Sequence, residues 1–299
     1  MAIVKDHLVI LNSKSLGDTI ALMPYLELYS LVHKCNVFLL ANPRFHNLFT
    51  KSYPTIIFVN DKYVLNRVGE FEKEIKVDYD FHNPVQQGMA KQLGFINPTY
   101  IRPKIDSFKD KRPIKNKYIT FGVQSTSQLK YWNSPLGKIK QTESHHWNEL
   151  SRMLRKAGIT PVCLEQYELF GKEPHFNGLP KKSVKKIDLP LTEVINYIEH
   201  SEFYIGLSSG IAWIAHALGK PVAMIANFTE DWNEFDLKTP NYKRITNKSV
   251  CHGCWNSKEY KFDIGDWYWC PKHKNTPRQF ECHTSITPKQ VFNEIKEWI

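Results

Sequence analysis

Four of the six cysteines in this chain, Cys251, Cys254, Cys270 and Cys282, fall in one stretch with the spacing C-x2-C-x15-C-x11-C. A C-x2-C pair with two further cysteines fits a tetrahedral thiolate site for zinc or iron. The start of the chain holds an apolar run too short for a secretory signal, and disulfides are disfavoured in the cytosol. A metal is therefore the better reading, with His252, His273 or His283 able to replace one cysteine as ligand. Four protein thiolates leave no open coordination position, and closed sites are structural. The metal is expected to hold the loop 250–283 in shape, with no catalytic role.

Three other stretches carry residue types suited to chemistry. In SLGDT (15–19), Asp18 is placed to act as a carboxylate base or, more simply, to cap the helix that follows. In GVQSTSQLKYW (122–132), the hydroxyls of Ser125, Thr126 and Ser127 and the ammonium of Lys130 suit an anion, although an ordinary polar loop reads the same way. In GLSSGIAWIAHALGKP (206–221), Ser208, Ser209 and Gly210 stand where a strand meets a helix N-terminus. Free backbone N–H groups and the positive helix end favour a diphosphate there, or the serines serve only as a cap. His216 on that helix reads as a packed or surface side chain.

The elements that must position these groups follow from the hydropathy pattern. HLVILNS (7–13) is a continuous apolar run, as a buried parallel strand would be. A helix with apolar positions at Ile20, Leu22, Met23, Leu26 and Leu28 follows, then NVFLLAN (36–42) and TIIFVN (55–60) as further strands. Residues 102–116 are polar, contain proline and read as a linker. Beyond it, strands in YITFGVQS, ITPVCLE, FYIG and KPVAMIAN alternate with helices in HHWNELSRMLRKAG, LTEVINYIEHS and GIAWIAHALG. This alternation predicts two open α/β sheets, with a ligand in the cleft outside the carboxyl ends of their strands.

The 299 residues suffice for two domains with their own cores. With 42% hydrophobic and 13% aromatic residues the composition is globular, and no apolar run approaches a membrane span, so a soluble, cytoplasmic protein is expected. The net charge of +10, with lysine-rich pieces at 109–117 and 181–186, suits anionic partners or simply a solvated surface.

In order along the chain, GDTIALMPY, QSTSQLKYWN, SSGIAWIAHALGKP and CHGCWN…DWYWCP…RQFEC resemble segments of glycosyltransferase family 9, the heptosyltransferases, and more closely the bacterial autotransporter heptosyltransferases. The similarity runs from about residue 8 to about residue 290. The resemblance implies an α/β, GT-B fold: two Rossmann-like domains facing a cleft. Residues 1–110 would form the acceptor side; residues 117–299 would bind the nucleotide sugar and carry a four-cysteine metal loop. It implies inverting transfer of a sugar, heptose first, from a nucleotide-diphospho-sugar, ADP-heptose first, to an acceptor hydroxyl such as a protein serine. By resemblance Asp18 is the base and Lys130 neutralises the leaving diphosphate. Ser125, Thr126, Ser208, Ser209 and Gly210 contact the phosphates, Glu165 the ribose and Leu189 the adenine. The four cysteines hold structural iron, with zinc as the alternative, and a homo-oligomer is compatible with the pattern.

Ser208 and Trp213 stand where the general heptosyltransferase pattern has an acid and a histidine, in agreement with the autotransporter branch. The early first strand leads to the expectation that an N-terminal acceptor-binding extension is absent. A rival from another class is a basic nucleic-acid-binding protein with a four-cysteine ribbon and Trp255, Trp267, Tyr268 and Trp269 interleaved. A degenerate transferase kept as a scaffold is a third reading.

Overall fold

The computed structural model describes residues 5–108, 111–124, 132, 145–172, 175–263, 265–266 and 268–299. The chain divides into two compact units, residues 1–107 with 216–218, and residues 108–215 with 219–299. In the first, β1 (Lys5–Leu11), α1 (Leu16–His33), β2 (Cys35–Leu40), β3 (Ile56–Val59), α2 (Asp61–Leu65), β4 (Lys73–Val77) and α3 (Val85–Gln92) follow one another. The strands form one parallel sheet in the order β3-β2-β1-β4. Strands covered on both faces read as unbroken apolar runs, and Leu8, Val9, Val37 and Leu39 are fully buried.

The second unit holds β5 (Tyr118–Gly122), α4 (His145–Lys156), β6 (Thr160–Glu165), β7 (Leu169–Lys172), β8 (His175–Gly178), β9 (Val184–Ile187), α5 (Leu191–His200), β10 (Tyr204–Gly206), α6 (Gly210–Ala217), β11 (Val222–Ile225), β12 (Tyr242–Ile245), α7 (Glu281–Thr284) and α8 (Pro288–Glu294). β7 and β8 form a separate antiparallel hairpin. The other six strands make a parallel sheet ordered β12-β11-β10-β5-β6-β9. Counted from β5, this is the doubly wound order 3-2-1-4-5-6, in which the winding direction reverses between the first and fourth strands. The reversal therefore lies between β5 and β10.

Fully buried aromatic residues fill the core beside this sheet. Trp132 stacks edge-on against Trp147 at 4.5 Å and donates its Nε1–H to the carbonyl of Ile286 at 2.8 Å. Among the described residues no helix is long and apolar enough to cross a membrane.

Candidate functional site

At the mouth of the N-terminal sheet, the turn after β1 brings Ser13, Ser15 and Asp18 together. Ser15, and not Asp18, caps α1: its side chain accepts the Asp18 N–H at 3.2 Å. The Ser15 N–H is itself directed at Ser13 Oγ, 3.5 Å away. Asp18 is thus the third residue of the helix, and its carboxylate is not needed to close the first turn. Burial raises the pKa of Asp18 above its ordinary 3.8, while the hydroxyls of Ser13 and Ser15 draw it back. A carboxylate held nearer neutrality is a better proton acceptor than a free one.

On the C-terminal sheet, the candidate nucleotide-binding residues line one edge. Ser208, Ser209 and Gly210 follow β10, Glu165 ends β6, and Leu189 lies two residues beyond β9. Glu165 pairs with Ile187 across the two strands, and its carbonyl accepts the Asp188 N–H at 2.8 Å. From β10 to β9 is three strand spacings, about 14 Å. A doubly wound sheet binds its ligand at this edge, beside the reversal of winding. Ser209 is the N-cap of α6, its Oγ 3.5 Å from the Ala212 N–H and its carbonyl accepting from Trp213 N–H at 3.3 Å. Ser125, Thr126 and Lys130 lie outside the described residues. The chain on both sides of them is anchored, at Gln124 and at the buried Trp132.

Glu165 does more than mark a strand end. Its Oε1 accepts the backbone N–H groups of Val123 (2.5 Å) and Gln124 (2.8 Å), tying the loop after β5 to β6. Burial pushes its carboxyl up to about 8, with the two amides pulling the other way. His216 is buried too, its Nε2 2.7 Å from the Tyr100 hydroxyl and its pKa lowered to about 3 by burial and by Arg102.

The cysteine loop is attached by different means. Its first turn, Cys251–Asn256, docks on the segment after β11: Gly253 N–H donates to the Asn227 carbonyl and Trp255 N–H to that of Phe228. The Asn256 side chain accepts from Glu230 N–H and donates to Asn233 Oδ1, both at 2.8 Å. Gly253 adopts φ +69°, which favours glycine, and a Cβ there would lie 1.8 Å from Glu230 Oε1, so a larger residue would be strained and would displace the Glu230 side chain. Cys251 and Cys254 hold their sulfurs 3.9 Å apart, close to the edge of about 3.8 Å for a tetrahedron with bonds of about 2.3 Å. Cys251, Cys254 and Cys282 share an apolar cluster with Phe228, Trp255 and Trp269, while Cys270 packs with Tyr268 and Phe280. The aromatic residues described here therefore wrap the thiols, and Trp267 lies outside the described residues.

Burial is the first cause that raises Cys254, Cys270 and Cys282, and neighbouring cysteines raise each further; Cys254 is pushed up to about 12. A cation among them would reverse that balance and favour thiolates. A second donor set overlaps the first: Cys251, His273 and Glu281 place ligand atoms within 4.8 Å of one another. Arg278 already neutralises that carboxylate through bonds of 2.6 and 2.9 Å, and Cys251 N–H also points at it. Glu281 thus fits a role in orienting Cys251 better than one as a ligand.

No family model matches the chain. Aah, an autotransporter heptosyltransferase of Escherichia coli, is 33% identical over 98% of this chain and 74% of its own length. The chain belongs to the autotransporter heptosyltransferase family. It is a glycosyltransferase, and this places it apart from the nucleic-acid-binding class. TibC of enterotoxigenic E. coli, an iron-containing dodecameric glycosyltransferase, shares its structure with a TM-score of 0.86 at 30% identity, over 99% of this chain and 76% of that one. TibC has also been solved in complex with ADP-heptose. A family 9 glycosyltransferase of Veillonella parvula matches in fold alone, at TM-score 0.63 and 11% identity over 100% of this chain and 98% of its own. BimC of Burkholderia thailandensis, 27% identical over 98% of this chain and 68% of its own length, is described as inactive.

Proposed function

We propose that this glycosyltransferase is an inverting GT-B enzyme that moves heptose from ADP-heptose to the hydroxyl of a protein serine. The observation that carries the reading is the placement of Ser208–Gly210 beside the reversal of the doubly wound sheet, with Glu165 and Leu189 further along the same edge. Phosphates at the β10 end and adenosine toward β9 suit that sequence of groups. The family relationship supports the donor, since TibC binds ADP-heptose.

In the proposed reaction the acceptor oxygen attacks the anomeric carbon as the bond from that carbon to the diphosphate breaks on the opposite side. Asp18 takes the acceptor proton, and its raised pKa suits that task. Negative charge gathers on the departing ADP, and the reading assigns its neutralisation to Lys130, Ser125 and Thr126 together with the amides at 208–210. Such preorganised donors are commonly the largest catalytic contribution. The N-terminal unit supplies the acceptor side and the C-terminal unit the donor side. The donor set Cys251, Cys254, Cys270 and Cys282 fits iron, with zinc as the alternative, in a closed structural site. A homo-oligomer acting in the cytoplasm completes the proposal.

The test is a panel of nucleotide sugars offered to the purified protein with bacterial lysate, read by mass spectrometry of the lysate proteins. Heptose addition from ADP-heptose, abolished in Asp18→Asn, is the expected result. Absence of both transfer and ADP binding overturns the reading. The inactive relative BimC gives a second reading its footing: a catalytically silent homologue would bind ADP-heptose without turnover.

A further inference from the structure

Where the winding of the C-terminal sheet reverses, one side chain remains unexplained. Tyr204, in β10, is fully buried, and its hydroxyl makes no hydrogen bond of ordinary geometry. A buried hydroxyl without a partner is destabilising. The ring runs along the sheet face toward the carboxyl ends of the strands. A Cβ on Gly122, the last residue of β5, would lie 2.0 Å from Tyr204 Oη, and one on Gly206, the last residue of β10, 2.1 Å. Both strands end in glycine, and the phenol tip fills the space where their side chains would stand. The oxygen is thereby delivered beneath the Ser208–Gly210 turn, at the start of the eight-residue helix α6. Burial raises the phenol pKa strongly, and the Ser209 hydroxyl, three residues beyond Gly206, opposes that shift without making a hydrogen bond to Oη.

We infer that Tyr204 is a positioning residue for the donor diphosphate: it donates its hydroxyl proton to Ser209 Oγ, which in turn donates to a phosphate oxygen. A serine hydroxyl has one proton to give and two lone pairs to receive. With a phosphate bound, Ser209 receives from Ala212 N–H and from Tyr204 Oη–H and gives to the anion, so every valence is used. Chained hydrogen bonds of this kind polarise one another, which strengthens the last bond to the phosphate. The relay rests on the proposed nucleotide-sugar reading and adds to it a side chain in the sheet interior, one layer behind the ligand.

The experiment is a calorimetric titration of wild type and Tyr204→Phe with ADP, GDP, UDP and adenosine, with Ser209→Ala and the double variant alongside. Tyr204→Phe keeps the ring and removes only an unpartnered oxygen, so the melting temperature should hold or rise. Affinity for the diphosphate that wild type binds should fall about fivefold, the worth of one hydrogen bond. Adenosine affinity should not change, and in the Ser209→Ala background the Tyr204→Phe effect should vanish. Equal affinity of wild type and Tyr204→Phe for that nucleotide overturns the relay while leaving the donor reading intact. A fivefold loss that persists without the Ser209 hydroxyl also overturns it. Failure of wild type to bind any of the three diphosphates removes the donor reading and the relay together.

Discussion

The carboxyl ends of the parallel sheets and the cysteine loop occupy the same chain but are built on opposite plans. At the sheet edge, main-chain hydrogen bonding does the positioning: strand register sets Glu165 beside Ile187, and a helix N-cap sets Ser209. Few side chains are needed, because the fold itself aims amides and hydroxyls at one place. The loop 251–282 contains only two short pieces of helix among its described residues. It is held by side-chain ties such as Asn256 to Asn233 and Arg278 to Glu281, and by apolar packing around its thiols. A region without a backbone ladder of its own depends on such ties, and the metal proposed for the four cysteines would be the strongest of them. On the proposed reading, the chemistry falls to the sheet edges and the holding together to the cysteines.

The sharpest way to break that division is to remove the metal proposed for the cysteines. Structural zinc sites show apparent binding energies of about 10–16 kcal/mol in small domains, and that energy is folding energy. A strong chelator, or Cys254→Ser, should therefore make residues 250–283 sensitive to limited proteolysis while ADP affinity stays within about threefold. A chelated protein that keeps its loop protected and loses only turnover would contradict the division. The mirror experiment is Asp18→Asn, which should lower kcat about 10²–10⁴-fold with ADP binding and loop protection unchanged. Because Asp18 titrates above its ordinary 3.8, turnover in the wild type should fall on the acid side at a pH above that value. Full activity in Asp18→Asn would demote the residue to part of the helix start.

The two plans also differ in how far the sequence reveals them. The cysteine spacing is local and legible, and so are the central strands, since β1, β2, β5, β6, β10 and β11 are each built around an apolar stretch. Besides the β7–β8 hairpin, the strands that the sequence reading passes over are β4 (KEIKV), β9 (VKKI) and β12 (YKRI), each at an edge of its sheet. Edge strands carry charge to discourage pairing with other chains, which erases the apolar signal. Lys185 and Lys186 thus read as part of a solvated basic cluster when they belong to the strand that precedes Leu189. Asp18 read as a cap for a similar reason: Ser15 lies three residues earlier, and only the geometry shows which side chain closes the turn. The contact of Tyr204 with Gly122 is a property of register between strands more than 80 residues apart, and its one trace in the sequence is the glycine ending each strand.

A smaller effect probes the sheet edge through pH. The Glu165 carboxyl titrates at about 8 in the fold against 4.5 ordinarily, because burial disfavours its charge. A raised acid contributes its stability fully below the ordinary value and loses it as pH rises through the folded one. Stability of the wild type should therefore fall between pH 4.5 and about 8, by up to about 1.4 kcal/mol per unit of difference. Glu165→Gln keeps an acceptor for the Val123 and Gln124 amides but cannot ionise. The difference in melting temperature between the two proteins should grow in favour of the variant across that window. A constant difference would mean that Glu165 is charged throughout, and that its amide partners outweigh its burial.

The smallest effect tests whether the packing around Tyr204 is as tight as its neighbours indicate. Gly206→Ala would set a Cβ 2.1, 2.5 and 2.7 Å from Oη, Cζ and Cε1, so the whole ring must move. Overpacking of that kind costs about 1–3 kcal/mol. Gly122→Ala collides chiefly with the oxygen, at 2.0 Å, and meets Cζ and Cε2 only at 3.0 and 3.3 Å. Its cost should be lower, and it should depend on an atom that Tyr204→Phe removes. In the Tyr204→Phe background, Gly122→Ala should therefore lose most of its destabilisation, read as the midpoint of urea unfolding, while Gly206→Ala keeps most of its own. The two glycines would thereby report different parts of one ring. Identical costs for both alanines in both backgrounds would show that the phenol yields freely, and the rigidity that a relay to Ser209 requires would be lost with it.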